Sequence, residues 1–579
     1  MDQDPPRRSR PGWMKWLPGA ETALDYERSW LWPDLVAGLV LTALLVPQGM
    51  AYAELAGLPA VTGLYTTVAA LLAYAVFGPS RILVLGPDSS LAPLIAAAII
   101  PLAAGDDAYA VALASMLALL VGAVCIVTGL VRLGTITELL SKPVRIGYIN
   151  GIALIVLVSQ LPKLFGFSTD SDGWLDAIRD FVVGVFDGET NWVALTLGAG
   201  SLAIIFGLRR VNAKIPGVLI ATVLSIAAVA ILDLTNEGIS VVGSLPDGFP
   251  SLAFPSVAWD DMAPLSLAAV GIALVAFADT AALSTTFAAK LGDEVDANQE
   301  IIALGTANIA AGFVRGFPMS ASSSRTSVAD SMGTKSQLTG VIGAIGIVLL
   351  VVFANDLLAD LPSATLAAIV ITASFALFDI DQMVWLWRVR RSEFILSLGA
   401  LLGVTLVGVL EGIVIAIVLS LMNFVRRAWR PYDATLGRIE GVKGYHDVDR
   451  HPDAERIPGL IVFRFDSPLF FANAEHFQRR LARAIRKAPW PVKWVIISAE
   501  PITDIDTSAA ETLIEVFDEL DARGIRLAFA ELKGPPKDRL ERYGLYDRVG
   551  DDYFFPTLGR AINAYVDDTE SDWVDWSER

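Results

Sequence analysis

The chain has one cysteine and three histidines in 579 residues, and its charged residues make up only 18% of the total. Cys125 lies inside an apolar run, so neither a disulfide framework nor a cysteine-based metal site can form within one chain. His446, His451 and His476 all follow Pro431, which excludes a histidine proton relay through the apolar part. Positive charge is scarce as well. Against 62 Asp and Glu stand 44 Lys and Arg, a formal net charge of −18, and this excludes a nucleic-acid binder that neutralises phosphates with clustered cations. No Ser-His-Asp set, Walker-type glycine-rich phosphate loop or metal-ligand cluster occurs in the sequence. The chain is therefore expected not to be an enzyme, not to use ATP and to carry no cofactor.

What the sequence has in quantity is apolar length. Hydrophobic residues make up 54% of the chain and the mean hydropathy is +0.54, which defines a polytopic α-helical membrane protein embedded in the lipid bilayer. Fourteen apolar segments can be drawn, at about 34–50, 60–78, 89–103, 109–131, 143–161, 191–208, 215–232, 262–284, 299–314, 321–332, 337–355, 361–379, 393–410 and 411–428. The third and tenth are the shortest. They take corresponding places when the set is split into seven plus seven across the acidic loop 233–261, the pattern of an inverted repeat with two half-helices.

Between two apolar runs lies GFPMSASSSRTSVADSMG, residues 316–333, too polar and too short to cross a bilayer as an ordinary helix. Backbone of this kind survives at membrane depth only where it is buried in protein or lines a wet cavity. Cations flanking the segments fix an orientation, because Lys and Arg accumulate on the cytoplasmic side. With the N-terminus inside, Arg81, Arg132, Lys142, Arg145, Arg209, Lys290 and Arg388 fall in inner loops, against Lys163, Arg179 and Arg315 outside. Both termini are then cytoplasmic, in the plasma (inner) membrane. Residues 1–30 form a basic leader without the apolar core of a cleavable signal peptide, 31–430 the membrane domain, 431–568 a soluble α/β domain and 569–579 a tail. In the soluble part, 460–465, 494–498 and 525–530 read as strands, and 474–487 and 508–523 as helices.

Several ordered motifs give the chain a family likeness. LVPQGMAYAELAGLPAVTGLY (45–65), LGPDSSLAPLI (85–95), INGIALIV (149–156) and SRTSVADSMGTKSQLTG (324–340) resemble the sulfate permease family, also called SulP or solute carrier 26. PGLIVFRFDSPLFFANAEHF and DIDTSAAETL resemble its STAS domain. The resemblance implies a core that binds substrate and a gate that supports it, moving by an elevator-like displacement. It also implies a homodimer, a cytoplasmic STAS domain open to a partner, and small inorganic or organic anions as substrate.

If the third and tenth segments meet near the midplane, their N-terminal ends aim free backbone N–H groups and partial positive charge into one cavity. The expected anion-binding residues are Ser89 and Ser90 from one end and Ser323, Ser324, Arg325 and Thr326 from the other, with Gln48 and Tyr52 beside the helix break at Pro47. Arg325 either faces the anion or pairs with a membrane carboxylate such as Asp279. Asp279 is the expected coupling residue. A desolvated carboxylate can take up a proton, whereas the oxygens of Thr280 and Ser284 could instead complete a sodium site, and a purely structural pair with Arg325 is the third reading. Asp88 suits an N-cap. In the STAS part, Asp506, Thr507 and Ser508 open a helix, as a simple cap or as a phosphate-accepting hydroxyl. The expected function is secondary transport of sulfate or a similar oxyanion, coupled to protons. Sodium-coupled bicarbonate transport, C4-dicarboxylate transport and an anion channel are the alternatives.

Overall fold

A computed structural model describes residues 16–134, 141–169, 174–212, 215–246, 248, 250 and 252–574. Most of the expected leader and the last residues of the expected tail lie outside them. The chain divides into two compact units, Met1–Ser420 and Leu421–Arg579.

The first unit is helical. It begins with α1 (Pro18–Leu24), α2 (Leu31–Leu55), α3 (Ala60–Phe77), the strand β1 (Leu85–Gly86), α4 (Ala92–Ala103), α5 (Asp107–Leu130), α6 (Lys142–Phe165), α7 (Trp174–Phe186), α8 (Trp192–Val211) and α9 (Gly217–Leu232). The second half runs α10 (Trp259–Leu291), α11 (Ala297–Phe313), β2 (Ser320–Ala321), α12 (Ser323–Ser331), α13 (Leu338–Phe353), the single turn α14 (Asp356–Ala359), α15 (Ser363–Leu377), α16 (Ile380–Val389), α17 (Arg391–Leu406) and α18 (Val409–Trp429). A helix fills each of the fourteen apolar segments, and α4 and α12, with 12 and 9 residues, are the shortest of those. Among the described residues eight helices are long and apolar enough to cross a membrane, α15 and α16 being taken together.

Among the described residues, four α-helices of this unit lie outside the fourteen apolar segments: α1, the single turn α14, and α7 and α16. α7 and α16 are amphipathic, with 13 and 10 residues, too short to span. Each follows the fifth apolar segment of its half, so they occupy equivalent places. Packing repeats in the same way. α5 packs on α11 as α13 packs on α3, α5 on α10 as α13 on α2, α4 on α10 as α12 on α2, and α6 on α17 as α15 on α8. One set of contacts joins α2–α5 with α10–α13, and another joins α6, α8 and α9 with α15 and α17. No helices were assigned to the expected core and gate; the first group is called the core and the second the gate. Helices within the core approach closely through small residues: a Cβ on Gly63 of α3 would lie 1.9 Å from the carbonyl oxygen of Gly49 on α2.

The second unit takes up the end of α18 and continues with the strands β3 (Asp433–Arg438), β4 (Tyr445–Asp447) and β5 (Leu460–Phe465), then α19 (Ala474–Arg486), β6 (Trp494–Ser498), α20 (Thr507–Ala522), β7 (Arg526–Ala530), α21 (Gly534–Arg542), α22 (Leu545–Val549), β8 (Phe554–Phe555) and α23 (Leu558–Thr569). The sheet order is β4-β3-β5-β6-β7-β8, antiparallel through β5 and parallel from β5 to β8. β6 is buried along its whole length, which is why it reads as an unbroken apolar run. Phe463, Phe465, Phe477 and Leu513 pack on one face of the sheet, and Leu460, Ile496, Ala528 and Tyr565 on the other.

Candidate functional site

β1 and β2 are two residues each and pair antiparallel, Leu85 opposite Ala321 and Gly86 opposite Ser320. They cross at the points where α4 and α12 begin, so the two half-helices are tied together at their N-terminal ends. Ser322 N donates to Val84 O (3.2 Å), and Val84 N donates to Thr326 Oγ1 (3.1 Å). Neighbouring helices hold the polar backbone that this crossover leaves exposed. Asn308 of α11 accepts from Met319 N (3.0 Å), and Thr280 of α10 accepts from Ala321 N (3.2 Å). This is how irregular backbone persists among apolar helices, since each buried N–H needs a partner.

Arg325 is fully buried behind the crossover. Its Nη2 donates to Gly86 O (3.1 Å), Nη1 donates to Pro87 O, and Nη2 lies 4.0 Å from Asp88 Oδ1. Its Nε is buried without a partner among the described residues. The expected alternative, a pair between Arg325 and Asp279, is not what forms: the guanidinium is directed at the α4 arm. Gly86 makes this approach possible, because a Cβ there would stand 3.2 Å from Arg325 Nη1. With both Nη groups engaged, the arginine brings positive charge to the crossover rather than an open fork.

Asp88 organises the turn before α4. Its Oδ2 accepts from Ser90 N (3.0 Å) and its main-chain oxygen accepts from Leu91 N and Ala92 N, which satisfies donors at the helix start. Ser90 Oγ lies 2.7 Å from Asp88 Oδ2 and 3.1 Å from Asp279 Oδ2. Thus Asp279, from the middle of α10, meets the crossover through Ser90. Tyr52 is 4% exposed and lies near Ser89, Asp88 and Arg325, while Gln48 is 8% exposed with its Oε1 unpartnered among the described residues. Ser323 and Ser324 are exposed at the start of α12, and Ser322 Oγ lies 3.1 Å from Ser324 Oγ.

Three predicted site residues are turned elsewhere. Thr326 Oγ1 holds Val84 N. Thr280 Oγ1 donates to Ala276 O (2.7 Å) while accepting from Ala321 N. Ser284 Oγ donates to Glu300 Oε2 (2.6 Å), so Asp279, Thr280 and Ser284 do not converge on one point.

Two buried carboxylates escaped the sequence reading. Glu300 accepts from Tyr74 OH (2.7 Å) as well as from Ser284. Asp34 of α2 accepts from Lys335 N (2.7 Å), Ser336 N (3.2 Å), Ser336 Oγ (2.6 Å) and Thr339 Oγ1 (3.2 Å), and so anchors the chain between α12 and α13. Each is an acidic residue at the edge of an apolar segment, where the sequence alone reads it as a loop residue. In the STAS unit Asp506 caps α20 through Ala509 N (2.8 Å) and also accepts from Phe471 N (2.8 Å), leaving Thr507 and Ser508 exposed.

A multi-helix membrane domain whose two half-helix ends are paired through β1 and β2 over a buried arginine, followed by an α/β domain, has the architecture of a multi-pass transporter. Residues 31–400 match the sulfate permease family and 451–561 the STAS domain. The chain is 40% identical over 550 residues to a probable sulfate transporter of Mycobacterium tuberculosis, covering 95% of this chain and 98% of that one. It is 30% identical over 562 residues to the chloroplastic sulfate transporter 4.1 of Arabidopsis thaliana, covering 93% and 80%. The structure of the murine solute carrier 26 family member A9 anion transporter in the inward-facing state superposes with a TM-score of 0.88 at 22% identity, over 97% of this chain and 96% of that chain. The chain belongs to the sulfate permease family and is an anion transporter with a C-terminal STAS domain.

Proposed function

We propose that the protein is a secondary active transporter that moves sulfate, or a similar small oxyanion, across the plasma membrane with a proton. The anion binds where the α4 and α12 ends meet, against the amides and the Ser323 and Ser324 hydroxyls, in the field of Arg325. Core helices carry the bound anion past the gate in an elevator-like step. The protein works as a homodimer with both termini in the cytoplasm, an orientation that the asymmetry of loop cations supports.

One observation carries the coupling. Ser90 Oγ stands within hydrogen-bond distance of both Asp88 and Asp279, yet a hydroxyl has a single hydrogen. In this reading Ser90 Oγ donates its hydrogen to Asp88, which lies beside Arg325, and the second contact is made by a proton on Asp279, donated to Ser90 Oγ. Binding of the anion and protonation of Asp279 then favour each other, because an ionised Asp279 would repel the anion across Ser90. A sodium site is disfavoured by the engagement of Ser284 with Glu300 and of Thr280 with the backbone. Names of the relatives support sulfate as the cargo.

Purified protein in liposomes tests this. Radiolabelled sulfate uptake is expected to rise with an inward proton gradient and not with a sodium gradient, and Asp279→Asn is expected to abolish the gradient-driven part. Sodium-driven uptake, or gradient-driven uptake surviving in Asp279→Asn, overturns the proton reading. Uptake of bicarbonate or a C4-dicarboxylate with none of sulfate overturns the choice of cargo.

A further inference from the structure

Helix α6 packs against α15 and α17, outside the helices that build the crossover. Its first turns nevertheless present a buried hydroxyl and a half-buried cation that no hydrogen bond or ion pair among the described residues engages. Tyr148 is 3% exposed, and its hydroxyl is buried without a hydrogen-bond partner among the described residues. Arg145 stands three residues earlier, on the same helix face, half-buried and without an ion pair among the described residues. Although the sequence reading counted it as a loop cation, it belongs to α6. Both side chains lie within electrostatic reach of Asp279 on α10, so this face looks toward the crossover. A buried hydroxyl left without an acceptor costs about 1–3 kcal/mol, and an ionisable group at membrane depth is retained for pairing or for a pathway. One small oxyanion answers both groups, accepting from the phenol and neutralising the guanidinium.

We infer that Arg145 and Tyr148 form a second anion station, fixed on the gate, which exchanges an oxyanion with the crossover on the side where α6 begins. This deepens the transport reading and rests on its division into a moving core and a static gate. Because the station stays in place while Asp279 and the crossover move, it serves one face of the membrane only. Its arginine draws the anion off the core, and its tyrosine supplies the hydrogen bond that the anion loses on leaving Ser323 and Ser324.

The test reads anion attraction without depending on which anion is transported. In a Cys125→Ser background, a thiol is introduced by Tyr148→Cys, and its modification by a sulfonate-bearing and by a trimethylammonium-bearing thiosulfonate is timed from each face of oriented vesicles. From the face bearing the N-terminus, adding Arg145→Gln is expected to slow the anionic reagent about tenfold and to change the cationic one by less than about twofold, whereas Arg145→Lys keeps the fast anionic rate. Millimolar sulfate is expected to protect the thiol. Rates that ignore the charge at 145, equal modification from both faces, or no modification by either reagent overturn the station. The same comparison with Ile152→Cys, one turn further along the same face, guards against a misfolded Tyr148→Cys protein. Absence of sulfate transport in liposomes would overturn the cargo assignment and leave these rates to be judged alone.

Discussion

The two arms of the crossover share a backbone and divide the chemistry. Each runs from a two-residue strand into a short helix, and each half-helix packs on the equivalent long helix, α4 on α10 and α12 on α2. Their side chains differ. The α4 arm brings the carbonyls of Gly86 and Pro87 and the Asp88 carboxylate, and the α12 arm brings the Arg325 guanidinium that reaches all three. Two arginines facing each other would repel, and two carboxylates would expel the anion. Repetition of the fold therefore stops at the backbone, and the site is built from complementary halves.

The largest expected effect comes from removing the charged half of that complement. Arg325→Met leaves Asp88 and two buried carbonyls without their partner, and a loss of about 3–5 kcal/mol in stability is expected, read as a lowered Tm of the purified protein together with loss of uptake. A Tm within a degree of the parent would break the comparison, because Arg325 would then not join the arms.

Next comes the anchor behind the α12 arm. Asp34→Ala orphans donors at Lys335 and Ser336, and about 2 kcal/mol of destabilisation is expected, with Asp34→Asn intermediate because its amide oxygen still accepts. Equal effects of the two substitutions would show that the hydrogen bonds are not what matters. The α4 arm is probed by Gly86→Ala, whose Cβ would stand 3.2 Å from Arg325 Nη1 and must push the guanidinium by a few tenths of an ångström. A three- to tenfold weaker sulfate affinity is expected, corresponding to about 1 kcal/mol. An unchanged affinity would mean the guanidinium can move freely.

The smallest effect lies in the STAS unit. His476, packed near Phe465, is held below the ordinary histidine value of 6.5, first by burial and then by the nearby Arg480, Arg479 and Arg430, with Asp433 opposing. Its neutral form is the one the fold favours, so its contribution is present above that value and is lost as pH falls through the lowered one. Protection from hydrogen exchange along α19 in the intact protein, taken relative to the base-catalysed intrinsic rate at each pH, is expected to fall as the pH is taken from about 7.5 to 5.5, and His476→Gln is expected to remove part of that change. Identical pH profiles for the two proteins would show that the histidine is not responsible.

How much of this was legible follows from what each signal depends on. Apolar length is a property of single segments, so hydropathy located a helix for all fourteen, including the shortness of α4 and α12. α7 and α16 escaped because each is short and its apolar residues are interrupted by charged ones, so a hydropathy scan sees neither a span nor a loop there. Strand β6 and helix α19 were readable because an all-apolar run and a strong 3.6 period need no partner to be recognised. Side-chain direction was not readable. Ser323, Ser324, Arg325 and Thr326 are consecutive, yet the first two are exposed at the helix start, the third reaches Gly86 and Pro87, and the fourth holds Val84. Those partners lie more than two hundred residues away, and only the folded crossover brings them together. Asp34 and Glu300 were missed for a related reason, since an acidic residue near the end of an apolar run looks like a loop residue until the donors around it are known.

The most direct test of the account is the sign of two charge changes at the crossover. The crossover is proposed to bind its anion through the field of Arg325, opposed by Asp88. Sulfate affinity measured by calorimetry on the purified protein is then expected to fall about tenfold in Arg325→Gln and to rise severalfold in Asp88→Asn. Misfolding cannot produce the tighter binding. Weaker or unchanged binding in Asp88→Asn, or unchanged binding in Arg325→Gln, would contradict the claim that these two opposed charges set the anion site.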